Sequence, residues 1–237
     1  MSGLDLVCFD ADDTLWHNLV HFDKAENEFA RMMSRFMPEA VAKQKIISTE
    51  TRNVRLYGYG VKTFTLAMIE TAIEISGGAV DNATISKLVA LGLDMLNHHM
   101  EILPHVEDTL KALRPNFKLL LITKGDLYHQ ERKVLASGLS PYFEGVEIVS
   151  EKKRDTYEKI CARYGGRISH TLMAGNSVKS DVLPMIQAGG YGVYVPFEIT
   201  WSHEHEELPE DTPRFFKVGD LSELPQIVAN LACSLSP

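Results

Sequence analysis

With 237 residues, 45% of them hydrophobic and 24% charged, the chain can build a substantial core, as one large domain or as a domain carrying an insertion. A formal net charge of −8, with no basic run longer than Lys152-Lys153-Arg154, argues against nonspecific nucleic-acid binding, which rests on lysine and arginine meeting phosphates. Cys8, Cys161 and Cys233 have neither metal-type spacing nor an even-numbered framework, Asp5 and Asp10 interrupt the N-terminus early, and no apolar stretch reaches spanning length, so the expectation is a soluble cytoplasmic protein with no membrane partner.

In chain order, a first strand is predicted over residues 4–9, an unbroken apolar run of the kind found in strands covered on both faces. Helical patterns follow over 23–36, 62–75 and 85–100. In the second of these Phe64, Ala67, Met68, Thr71, Ala72 and Ile75 share one face. From about residue 101 helix and strand alternate: helix 106–113, strand 117–122, helix 128–136 stopped by Ser137-Gly138, and strand 146–149. Then come helix 156–164 before Gly165-Gly166, strand 171–174, helix 182–188 before Gly189-Gly190, strand 191–195 and a last helix over 224–231. The alternation implies an α/β, Rossmann-like, doubly wound parallel sheet formed by residues 1–15 and 101–237, with an all-helical domain inserted over 16–100.

Asp10, Asp12 and Asp13 crowd three carboxylates into four positions directly after the first strand. At roughly 4 Å and an effective dielectric near 20, each close pair costs about 4 kcal/mol. Such a cluster needs a raised pKa, a cation or full exposure to water. The other candidates also fall at predicted C-terminal strand ends, where open α/β sheets place their sites: Thr123, Lys124, Gly125 and Asp126, then Lys152 and Lys153, then Asn176 and Asp181. Together these parts suit phosphoryl transfer. One carboxylate attacks phosphorus to give an aspartyl-phosphate, and a second, two residues on, gives the leaving oxygen its proton. A hydroxyl and an ammonium neutralise the transferring group, and Mg2+, which favours hard oxygen ligands, relieves the repulsion among the acids.

The stretch Asp10-Ala11-Asp12-Asp13-Thr14, followed by Thr123 at a strand end, Lys152, and Gly175-Asn176-Ser177 with Asp181, resembles the haloacid dehalogenase-like (HAD) superfamily of hydrolases. The resemblance runs in order through the whole core, with the helical region where that superfamily carries its type 1 cap domain. It implies Asp10 as nucleophile, Asp12 as general acid and base, Thr123 as a ligand of the phosphoryl oxygens, and Lys152 as anchor of phosphate and nucleophile. It further implies that Asp10, the backbone carbonyl of Asp12, Asn176 and Asp181 hold Mg2+. Two departures stand out. Asn176 occupies a position that is usually aspartate, which predicts weaker metal affinity. Lys152 and Lys153 are adjacent and lack the usual following proline; spacing to Tyr157 favours Lys152.

The remaining candidates carry ordinary readings beside the functional ones. Lys124, a possible substrate contact, also fits a solvent-facing role, and Gly125 supplies backbone freedom to a phosphate loop. Tyr57 and Tyr59, in Tyr57-Gly58-Tyr59-Gly60, either close over a substrate or pack an interhelix loop. Asp13, Ser177 and Ser180 fit capping roles, and His98 and His99 have no evident task. The His-x-His of Trp201-Ser202-His203-Glu204-His205 fits a solvated loop better than a zinc site, since nothing completes the ligand set.

The expected function is that of a Mg2+-dependent phosphatase acting on a small phosphorylated metabolite. Within the superfamily, a phosphomutase or other phosphotransferase shares the same core parts. A dehalogenase has no use for Asp12 and Asp181, and a phosphonate-cleaving enzyme wants a lysine from the insertion, where none of Lys24, Lys43, Lys45 or Lys62 stands out. A non-enzymatic protein that binds a phosphorylated ligand is the alternative from another class. Oligomeric state is not legible, because apolar helix faces serve a core or a second subunit equally.

Overall fold

The structure, a computed structural model, describes residues 3–199, 206–209 and 211–236. The chain divides into two compact units, Met1–His17 with Met100–Pro237, and Asn18–His99. Strand β1 (Leu6–Phe9) precedes the four helices of the second unit: α1 (Leu19–Met33), α2 (Glu39–Tyr57), α3 (Val61–Ile75) and α4 (Asn82–Asn97). The first unit resumes with α5 (Val106–Leu113), β2 (Lys118–Lys124), α6 (Leu127–Ser137), β3 (Gly145–Val149) and α7 (Arg154–Arg163). It continues through β4 (Thr171–Gly175), a π-helical turn (Val178–Val182), α8 (Leu183–Gln187), β5 (Tyr191–Tyr194), β6 (Phe215–Lys217) and α9 (Leu224–Ser234).

The strands form one parallel sheet in the order β3-β2-β1-β4-β5-β6. Strand β1 lies inside it, with Cys8 paired to Leu120 of β2 and to Met173 of β4. Side chains alternate across the sheet, and both faces are apolar. Val7 and Phe9 pack on one side with Leu119, Leu121, Leu172 and Ala174, while Leu6 and Cys8 pack on the other with Leu120, Ile122, Met173 and Tyr157. Chain order reverses around β1, so the loops leaving β1, β2 and β4 diverge at the crevice where such sheets bind ligands.

The helical unit has its own core, built on Phe29, Met33, Ile46, Phe64, Met68 and Leu88. Two elements there and at the sheet edge go beyond the sequence expectation. In α2 the buried positions, Ala42, Ile46, Thr49, Glu50 and Asn53, have helical spacing, but three of them are polar and leave no apolar stripe to read. Strand β6 has only three residues, at the sheet edge, and is too short to show a periodicity. Helix α4 spans 82–97 rather than 85–100, because the Asp81 side chain accepts from the Thr84 N–H and caps an earlier start. No helix among the described residues is long and apolar enough to cross a membrane.

Candidate active site

Beyond the end of β1, the Asp10 N–H still donates to the Ala174 carbonyl of β4 at 2.9 Å, which fixes Asp10 at the C-terminal edge of the sheet. The chain then turns sharply: Leu15 N–H donates to the Ala11 carbonyl and Asp13 N–H to the Trp16 carbonyl, each at 2.8 Å. Asp13 makes the turn at φ +62°, a left-handed conformation that aspartate tolerates better than most residues. The residue is buried in that turn.

Lys152, at 4% exposure, is the lysine that enters the site; Lys153 is exposed at the start of α7. The Lys152 ammonium bonds Asp10 Oδ1 and, at 2.6 Å, Asp181 Oδ1. The second oxygen of Asp181 accepts the Ser177 N–H at 2.9 Å. Glycine is required at 175, because a Cβ there would come within 2.2 Å of that same Asp181 oxygen. Thr14 closes the group from the other side: its hydroxyl donates to Asp10 Oδ2 at 3.1 Å and accepts the Asn176 N–H at 3.1 Å.

Burial alone would discharge Lys152, but the Asp10 and Asp181 carboxylates outweigh it and hold the lysine pKa above its ordinary value. Burial also pushes the Asp181 carboxyl up, against the pull of Lys152 and with the help of the Asp10 charge.

A second hydrogen-bonded group surrounds Asp12. Its Oδ1 accepts the Trp16 indole N–H at 2.6 Å and also bonds the Lys133 ammonium, and its Oδ2 accepts from Gln130 Nε2 at 3.2 Å. Gln130 Nε2 also reaches the Thr123 hydroxyl at 2.7 Å and the Lys124 carbonyl at 3.0 Å, joining the ends of β1 and β2. Burial opposes charge on Asp12, yet the Lys133 ammonium, with hydrogen bonds from Lys133, Trp16 and Gln130, holds its carboxyl below the ordinary aspartate value. Gly125 takes φ +142° and leaves room for Gln130, whose Cγ would lie 3.0 Å from a Cβ at 125. Lys124 turns its ammonium to the Ser180 hydroxyl at 2.7 Å, beside the loop that carries Asp181.

A metal fits a more limited set of atoms than the sequence suggested. Among the described residues no three His, Cys, Asp or Glu side chains converge on one point. Oxygens of other kinds do. The Asn176 amide oxygen lies 3.1 Å from the Asp12 carbonyl and 3.2 Å from Asp10 Oδ2 and from the Thr14 hydroxyl. Turned the other way, the amide nitrogen would donate to all three. With oxygen inward, the amide gives no hydrogen to Asp10 Oδ2 or to the Asp12 carbonyl, and a cation would be the group to join these oxygens. Ligand distances of 2.0–2.1 Å around Mg2+ imply neighbouring oxygens about 3 Å apart, so the donor set and its spacing suit that ion. Asp181 joins this group through Lys152, since its two oxygens are engaged by Lys152 and the Ser177 N–H.

Of the sequence candidates, Asp10, Asp12, Thr123, Lys124, Gly125, Lys152, Asn176 and Asp181 thus gather at one edge of the sheet. Tyr57 and Tyr59 belong to the other unit, at the bend between α2 and α3, where Gly58 and Gly60 have φ of +80° and +119° and Tyr57 is exposed. The His203-Glu204-His205 stretch lies outside the described residues. Sequence reasoning missed Trp16, Gln130 and Lys133 and gave Thr14 no role. The readable signals were weak: Trp16 stands four residues after Asp12, and Gln130 and Lys133 are polar residues three apart on the inward face of α6.

Comparison with known proteins gives concordant matches. A family model described as haloacid dehalogenase-like hydrolase matches residues 4–189. Human N-acylneuraminate-9-phosphatase is 24% identical over an alignment of 174 residues that covers 70% of this chain and 68% of that protein. The crystal structure of a haloacid dehalogenase-like family hydrolase from Xanthomonas campestris is 35% identical, with a TM-score of 0.88 over 99% of this chain and 94% of that one. YfnB of Bacillus subtilis, described as a HAD hydrolase bound to magnesium, shares the fold at 18% identity, with a TM-score of 0.65 over 95% and 98% of the two chains.

Proposed function

The chain belongs to the haloacid dehalogenase-like hydrolases, and from that premise we propose that it is a Mg2+-dependent phosphatase that hydrolyses a small phosphorylated metabolite through an aspartyl-phosphate on Asp10. The observation that carries this reading is the buried Lys152 bridging Asp10 and Asp181 at the sheet edge, with Thr14 and Asn176 closing around the same carboxylate.

In the first half-reaction an Asp10 oxygen attacks phosphorus. The bond to the ester oxygen breaks, and that oxygen keeps the bonding electron pair and takes a proton from Asp12, which is ionised in the free protein and gains that proton when the anionic substrate binds beside it. In the second, water attacks the same phosphorus, the electron pair of the bond to Asp10 returns to the carboxylate, and Asp12 takes the proton from water. Lys152 orients Asp10 and offsets charge on the transferring group, and the Thr123 hydroxyl serves its oxygens. Asp10, the Asp12 carbonyl and Asn176 would hold Mg2+, with Asp181 supporting from behind Lys152; the ion supplies positive charge against the phosphoryl oxygens. The magnesium bound by YfnB and the phosphatase activity named for the human relative support this reading. The free thiols of Cys8, Cys161 and Cys233 support a reducing, cytoplasmic location.

The test is phosphate release from p-nitrophenyl phosphate and from a panel of phosphorylated metabolites. Release is expected with Mg2+, is expected to stop with EDTA, and is expected to fall about 10⁴-fold or more in Asp10→Asn. Acid quenching with labelled substrate should leave phosphate on the wild type and none on the variant. Turnover that survives both EDTA and the substitution would reject the mechanism. Ligand binding without turnover would instead favour a phospho-ligand-binding protein.

A further inference from the structure

We infer that Lys133 is a positioning residue for Asp12: its ammonium, fixed on helix α6, sets the direction in which the Asp12 carboxylate points and through it the proton transfer at the ester oxygen. This rests on the phosphatase reading for its chemistry and on geometry alone for the placement. The Asp12 side chain is 24% exposed, whereas Lys133 behind it is 4% exposed. Trp16 and Gln130, the other two donors, are equally enclosed, at 0% and 2%. The carboxylate is therefore gripped from the protein side and open on the other.

Two of the three donors come from one rigid element. Gln130 and Lys133 stand three residues apart, on one face of α6, and the helix start is fixed by Asp126, whose side chain accepts the His129 N–H at 3.0 Å. Rigid support of this kind is what a proton-transfer group needs, since its misplacement by about 1 Å can cost roughly 100-fold in rate. A buried ammonium at this position is otherwise hard to explain. At 4% exposure its charge is desolvated, a cost that a neutral side chain of similar length would avoid. If the pair served stability alone, a hydrophobic replacement of both partners would lose nothing specific to the chemistry.

The experiment compares kcat/KM for p-nitrophenyl phosphate, whose leaving group departs without a proton, with kcat/KM for glycerol 2-phosphate, whose alkoxide needs one. In Lys133→Met the alkyl-to-aryl ratio should fall by about 10–100-fold. Lys133→Arg keeps the charge but shifts its position, and should show a smaller fall. Adding Lys133→Met to Asp12→Asn should lower the ratio no further, because Lys133 acts only through Asp12.

An unchanged ratio in a folded variant, or an equal fall in the Asp12→Asn background, overturns the assignment. Should Lys133→Met not fold, the ratio in Lys133→Arg decides in the same way. A crystal structure of whichever variant folds gives the second readout: the Asp12 carboxylate should leave its place against Trp16 and Gln130, and an unmoved carboxylate overturns the assignment. A wild type that turns over neither ester nor any of the phosphorylated metabolites would reject the phosphatase reading, while the position of Asp12 in that structure would still decide the role of Lys133.

Discussion

Asn176 sets how much negative charge the site carries before any cation arrives. Around the site stand three carboxylates, Asp10, Asp12 and Asp181, and two buried ammoniums, Lys133 and Lys152. The amide at 176 adds no charge and, by rotating, can offer either its oxygen to a metal or its N–H groups to the Asp12 carbonyl, Asp10 Oδ2 and the Thr14 hydroxyl. A carboxylate could do only the first. Asn176→Asp should therefore bind Mg2+ about tenfold more tightly, roughly 1.4 kcal/mol. It should also melt at a lower temperature than the wild type in EDTA, because its new oxygen would face Asp10 Oδ2 and the Asp12 carbonyl with no donor between them. Calorimetric titration with Mg2+ measures the first effect and a thermal melt the second. Equal affinity would mean that position 176 does not ligate the ion.

The elements show why some of the site was legible and some was not. Asp10, Thr123 and Lys152 stand just past apolar runs whose length and composition announce strands, and Asp181 stands in the turn that follows another, so their common edge follows from the parallel order. Gln130 and Lys133 sit inside a helix, where a polar residue reads as solvent-facing unless the opposite face is known. The same ambiguity hid α2, whose inward face carries Thr49, Glu50 and Asn53. Glu50 deserves a test of its own. Burial, with the nearby Glu26 charge adding to it, pushes its carboxyl up to about 8. Unfolding returns it to the ordinary value near 4.5, so the native state keeps a proton that the unfolded chain releases above that pH. Stability is thus lost as pH rises from about 4.5 to about 8, by about 3–5 kcal/mol when fully developed. Glu50→Gln removes the titrating group. Urea unfolding should find the two proteins close at pH 5 and the variant more stable at pH 8; parallel pH profiles would show that Glu50 is ionised in the fold.

At the scale of the whole chain, a net charge of −8 and the carboxylates of Asp10, Asp12 and Asp181 at one sheet edge would make a divalent cation bound there a stabilising ligand. An ion that binds only the folded state adds about 2.7 kcal/mol at a concentration 100 times its dissociation constant. For a chain of this length each kcal/mol moves the melting temperature by about 2–4 °C, so saturating Mg2+ should raise it by about 5–10 °C over EDTA. The oxygens that face one another, from Asp10, Asp12 and Asn176, all belong to the unit formed by Met1–His17 and Met100–Pro237. Hydrogen exchange should accordingly slow at amides around β1 and β4, including those of Asp10 and Asn176, and change little in α1 to α4. Replacing Asp10 by alanine removes the one carboxylate oxygen of that set and should abolish most of the shift in melting temperature. A full shift retained in Asp10→Ala, or protection gained chiefly in the helical unit, would place the cation elsewhere in the chain.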